Sequence, residues 1–182
     1  MKNSIKIFLI AIYIWNIVLR YPNINGPHDG DSYAVMWTSA IISELGVNNL
    51  ILSPLSYFGM YPYSFPFGTH HFLVSFSEVT GLKLDISVYV LGIFYTFIAL
   101  NGLFLLTYRI TGNLYVATFS LLFLTSSGYF TNYTYWTMSL RSTFMAIMPI
   151  FSDSLLRLQT KYSVNRFKDI IIFISLFFLL QV

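Results

Sequence analysis

From Ile86 to Tyr108 the sequence runs ISVYVLGIFYTFIALNGLFLLTY, without a charged side chain and with Asn101 as its one strongly polar residue. A bilayer's hydrocarbon layer, ~30 Å thick, takes about 20 apolar residues at ~1.5 Å each. This run is long enough, and the chain around it is built the same way. It is 56% hydrophobic and 9% charged, against about 25% charged residues in ordinary soluble domains. Too little charge is present to cover a water-facing surface, so the composition predicts an integral membrane protein. The +3 formal charge is spread out rather than gathered in a basic block, which gives no electrostatic footing for nucleic acid. There is no cysteine, so disulfides, thiolate metal sites and cysteine nucleophiles are excluded.

Four further apolar stretches give a polytopic, all-α fold class. The expected spans are 5–20, 86–108, 114–128, 140–158 and 169–182, within a single membrane domain over 1–182. The first begins after Lys2 and Lys6 and is followed by Arg20-Tyr21-Pro22 rather than a small-residue cleavage site. It reads as an uncleaved anchor and not a signal peptide, with Tyr13 and Trp15 suited to an interface. The fourth contains Pro149 and Asp153; the fifth is short, which marks the chain as the N-terminal piece of a larger protein. On this topology one side receives Lys2, Lys6, Arg109, Arg157, Lys161, Arg166 and Lys168. The other receives Arg20, Lys83 and Arg141. The bias puts the N-terminus in the cytoplasm of a cell-membrane protein and the 21–85 loop outside. Asn132-Tyr133-Thr134, a glycosylation sequon, falls on the same outer side.

Loops as long as 21–85 usually carry structure or function. From Asp31, DSYAVMWTSAIISELG sets Tyr33, Trp37, Ala40, Ile41 and Leu45 on one face and Ser32, Ser39 and Ser43 on the other. It has an Asp start and Gly46 as a C-terminal cap. Such a helix would lie along the membrane surface. The run from Tyr57 to Pro66 cannot stay helical through Pro62 and Pro66, and helical periodicity returns from Phe67 to Thr80, closed by Gly81.

His28-Asp29-Gly30-Asp31 opens this loop. Asp31 is placed to cap the helix that follows, while Asp29 has no such structural duty. Two carboxylates so close could ligate a divalent cation, or one could act as general base while the other tunes it. His70 and His71 point to different sides of their helix, and each histidine more often serves structure than ligation. No HExxH, Walker, GxSxG or GxGxxG pattern is present.

The order of these parts resembles the N-terminal half of the GT-C superfamily of membrane glycosyltransferases. Its members include the oligosaccharyltransferase catalytic subunit and the protein mannosyltransferases. The likeness covers about 5–158 and rests on layout. An N-terminal span leads to an outer carboxylate, then an amphipathic helix from Asp31 to Gly46 and the Tyr61-Pro62-Tyr63 patch. A His-containing helix, a long span ending in Arg109-Ile110-Thr111-Gly112, and Trp136 to Arg141 follow.

The resemblance implies transfer of a sugar from a polyprenyl-phosphate-linked donor to an acceptor on the outer face. Asp31 would be the catalytic carboxylate and Asp29 the second choice. His28, Tyr61, His70, His71 and Arg141 would bind substrate, with Arg141 meeting a phosphate. It also implies a place for a divalent metal ion, Mg or Mn, on Asp31. Many members carry a second acidic motif between the third and fourth spans, but Ser126 to Arg141 contains no Asp or Glu, which counts against metal dependence. The other reading is a non-catalytic polytopic protein, a transporter or assembly subunit, whose acidic motif binds an ion or caps a helix.

Overall fold

Around the long apolar run, the computed structural model forms a single 28-residue helix to which the remaining described elements attach. It describes residues 3–21, 26–27, 30–45, 68–159, 168 and 170–175. Among these, every regular element is an α-helix and no strand occurs. In chain order they are α1 (Asn3–Leu19), α2 (Gly30–Leu45), α3 (Gly68–Thr80), α4 (Leu84–Thr111), α5 (Leu114–Ser126), α6 (Gly128–Thr134) and α7 (Leu140–Gln159). The proline-aromatic segment Tyr57 to Pro66 and the expected cap Gly46 lie outside the described residues.

Local chemistry sets the breaks. Gly81, at φ +70°, closes α3, its N–H donating to the Ser77 carbonyl at 2.8 Å. Gly112 adopts φ +64° and donates to the Tyr108 carbonyl, a conformation that costs glycine least. The next residue, Asn113, starts α5 by accepting from the Tyr115 and Val116 N–H groups at 2.9 and 3.4 Å. Ser139 and Ser142 cap α7 reciprocally: each hydroxyl oxygen accepts the other's backbone N–H, at 3.3 and 2.9 Å.

The third expected span, 114–128, ends within two residues of the end of α5, and the short helix α6 that follows is not among the expected elements. Ser127 ends α5 and caps α6, accepting from the Phe130 N–H at 3.4 Å, and the two helices bend by 69°. Taken singly, α4 alone among the described helices is long and apolar enough to cross a membrane; α5 and α6 qualify only together. Pro149, expected to interrupt its helix, lies inside a continuous α7.

α7 runs alongside α4 in the same direction. Gly92 lies against the backbone of Thr134 and Thr137, Gly102 against Pro149 and Ile150, and Arg109 meets Asp153. A Cβ on Gly102 would stand 2.9 Å from the Ile150 nitrogen, so glycine is what permits this approach. α1 runs the opposite way, pairing Tyr13 with Phe97 midway and Arg20 with Thr134 at its end. Ile12, Leu100 and Leu121 join α1, α4 and α5. A second cluster, with Val35, Leu73, Leu91, Trp136 and Ala146, seats α2 and α3 on the first half of α4 beside α7.

The face of α2 that packs on the rest of the fold is the serine-threonine one. Ser32, Val35, Thr38, Ser39 and Ile42 are buried, whereas Tyr33 and Trp37 are 56% and 44% exposed. The serine-threonine face docks because its hydroxyls find partners there. Ser32 Oγ accepts the Met138 N–H at 3.0 Å and Ser39 Oγ donates to the His70 carbonyl at 3.4 Å. Of the expected apolar face, Ile41 is buried. The same pattern holds elsewhere. α1 buries Asn16 and exposes Ile7, Ile10, Ile14 and Val18; α5 buries Ala117, Thr118 and Thr125 and exposes Val116, Phe119 and Phe123.

Candidate functional site

Where α4 begins, four parts of the chain meet: the end of α1, the start of α2, the turn after α6 and the start of α7. The turn is held by Trp136, which adopts φ +43°, uncommon for a bulky side chain. Its indole N–H donates to the Asp85 carbonyl at 2.9 Å and its ring packs on Tyr89 at 5.5 Å. Next to it, the Ser32–Met138 bond ties the first turn of α2 to the turn. Asp31 and Arg141, far apart in sequence, are thereby brought to the same end of the fold, both exposed and not in salt-bridge contact, with Tyr133 the stronger influence on the guanidinium and the carboxylate the weakest. Arg141 Nη1 donates to the Tyr133 hydroxyl at 2.7 Å, its guanidinium lies 5.6 Å from the centre of that ring, and Tyr129 meets Tyr133 edge-on at 4.7 Å.

Asp31 is not the cap of its helix. α2 starts at Gly30, so Asp31 stands in the first turn, where a carboxylate is favoured by the helix dipole and not by a capping bond. Asp29 and His28, and likewise Tyr61, lie outside the described residues. His70 and His71 are not gathered with Asp31. His70 is buried beside Ser39, two turns of α2 or ~12 Å further along, and His71 is partly exposed. Among the described residues no group of three or more His, Asp or Glu could hold a metal ion.

On the inner side of this surface is a feature the sequence did not announce. Arg20 is 1% exposed. Its Nε and Nη2 donate to Thr134 Oγ1, at 3.0 and 2.5 Å. Nη1 donates to the Asn16 carbonyl and side-chain oxygen, at 3.2 and 2.9 Å. The Phe130 ring centre is 5.1 Å from the guanidinium, within cation–π range. In the sequence Arg20 reads as an interface charge; the available signal was Asn16, polar within an apolar run and one helical turn before it. The cluster pins α6 from beneath, so that Phe130 and Thr134 face inward and Tyr129 stays exposed. It also corrects the sequon. Thr134 is buried and its hydroxyl donates to the Phe130 carbonyl at 2.6 Å, so Asn132-Tyr133-Thr134 is helical rather than the open surface loop that glycosylation uses.

At the far end of α4 and α7, Asp153 is buried and shared by two arginines. Arg109 Nε and Nη2 donate to it at 2.5 and 3.4 Å, and Arg157 Nε at 2.9 Å. No family model matches the chain, and neither a curated protein nor a solved structure shows significant similarity to it.

Proposed function

We propose that the chain is a multi-pass protein of the cell membrane with its N-terminus in the cytoplasm, and that it is part of a GT-C-type glycosyltransferase. It takes a sugar from a polyprenyl-phosphate-linked donor and passes it to an acceptor on the outer face. The membrane reading is supported by the exposed faces of α1, α4 and α5, which carry Ile, Val, Leu and Phe, while Ser, Thr, Ala and Gly pack inside alongside Leu, Ile and Val. Leaving such a side chain in water forgoes ~1.5–3 kcal/mol relative to burying it. Small and hydroxyl residues at contacts between helices, with apolar ones outward, are what a lipid solvent favours. On this reading α1, α4, α5 with α6, and α7 cross the membrane, the Asp31 surface is outside, and Arg109 and Arg157 are on the cytoplasmic side.

The observation that carries the enzyme reading is an exposed carboxylate at the same end of the fold as an exposed guanidinium that is held on two tyrosine rings. In the transfer, the acceptor attacks the anomeric carbon, the carbon–oxygen bond to the lipid phosphate breaks, and the phosphate leaves with the electron pair. Asp31 takes the acceptor's proton. Arg141 meets the charge that grows on the leaving phosphate, and the Tyr129 and Tyr133 rings offer faces on which a sugar can rest.

The test is transfer of labelled sugar from the lipid-linked donor in membranes holding the full-length protein. Asp31→Asn is expected to lower the rate by about 10²–10⁴-fold while insertion is unchanged. A near-normal rate would leave the second reading, a non-catalytic transporter or assembly subunit in which Asp31 steadies the first turn of α2. That reading is favoured by its place in that turn.

A further inference from the structure

Among the described residues α4 meets α7, α5 and α1 along its length and α2 and α3 on its first half, and these leave one face open. Val90, Phe94, Asn101, Leu105 and Tyr108 recur along it at helical spacing and all are exposed. Four of the five suit lipid. Asn101 does not: its Nδ2 donates to the Phe97 carbonyl at 2.7 Å, and among the described residues its other N–H and its Oδ1 acceptor make no hydrogen bond. Along the axis it stands ~12 Å from Arg109 and ~24 Å from Asp85. In a hydrocarbon layer ~30 Å thick the amide is well inside, where no water can take the place of a partner.

We propose that this face of α4 is the interface between two copies of the chain, with Asn101 of each hydrogen-bonded to Asn101 of the other. A carboxamide is both donor and acceptor, so two identical faces related by a two-fold axis satisfy one another with nothing added. The face is free of charge: Asp85 accepts from the Ile86 N–H and Arg109 is engaged with Asp153, so like charges do not oppose the approach. Asn side chains joining membrane helices in this way stabilise their association measurably. The proposal rests on the reading of α4 as a membrane span.

The given sequence has no cysteine, so single cysteines placed in it report the contact once any cysteine elsewhere in the full-length protein is replaced. Full-length protein carrying Leu105→Cys, in membranes washed with alkaline carbonate, is oxidised and run without reductant. A disulfide-linked dimer is expected. Adding Asn101→Leu should lower dimer formation by about threefold or more, and Asn101→Gln, which keeps an amide, should retain it. Phe119→Cys, on the exposed side of α5, should not cross-link. Undiminished cross-linking with Asn101→Leu, equal cross-linking at Phe119→Cys, or monomer alone in the washed membranes would each overturn the dimer while leaving α4 as a span. Release of the protein into the carbonate wash would overturn the membrane reading and the dimer with it.

Discussion

Where α4 and α7 end, Asp153 is buried between Arg109 and Arg157; where α4 begins, Arg20 is buried against neutral oxygens while Asp31 and Arg141 stay exposed. The first end answers charge with charge. Its carboxylate is committed to two partners, and what it can do is hold two parallel helices together. The second end satisfies its buried cation with a hydroxyl, an amide and a ring. No described carboxylate is spent on Arg20, and Asp31 remains at the surface, at the same end as an exposed guanidinium and its tyrosines. A buried charge that is fully paired fixes structure, whereas exposed charges such as Asp31 and Arg141 are the ones the proposed reading gives to a ligand.

The contrast breaks most sharply at Asp153. Asp153→Leu removes the carboxylate that accepts from two partly exposed arginines, and losing the two charge-assisted contacts is expected to cost ~3 kcal/mol. Unfolding by SDS in mixed micelles would measure it, and a loss below ~1 kcal/mol would mean the cluster is ornamental to the fold. Thr134→Val tests the other end. It strips the acceptor from Arg20 Nε and Nη2, and leaving charged donors unmet is expected to cost ~2–3 kcal/mol. The same substitution should loosen α6, so it should also weaken sugar transfer without touching Tyr129, Tyr133 or Arg141.

A smaller effect, ~1–3 kcal/mol from overpacking, is expected for Gly102→Ala, whose new methyl would meet Ile150 Cγ1 at 2.6 Å and the Ile150 nitrogen at 2.9 Å. Thermal unfolding followed by tryptophan fluorescence should show it, and no change would mean that α4 and α7 can separate freely. Asp31→Asn is expected to move stability least. It gives up only the favourable placement of a carboxylate in the first turn, worth ~0.3–1 kcal/mol. A large loss of stability there would turn Asp31 from a functional group into a structural one and erase the difference between the two ends.

The helices were legible because each is written locally. Apolar length gave α4, the Gly112-Asn113 pair gave its end and the start of α5, and Gly81 gave the end of α3. Asp31 and Arg141 were legible as candidates because charge is rare in this chain, and a rare residue type draws notice wherever it stands. Their meeting was not legible. It depends on Ser32 accepting from Met138, a contact between two small groups that no periodicity encodes.

Sequence by itself determined that the chain is helical, rich in apolar residues and poor in charge, and without cysteine, since composition and period act on every residue without regard to neighbours. Which face of each helix turns inward was decided only by the tertiary structure. Amphipathic spacing says that α2 has two faces, but the side that packs is the one whose hydroxyls find backbone partners, so Tyr33 and Trp37 were left outside. For the same reason Arg20 passed for an interface charge until Asn16, Phe130 and Thr134 closed around it. A buried cation is tolerable only where several acceptors converge, and convergence is a property of the folded chain.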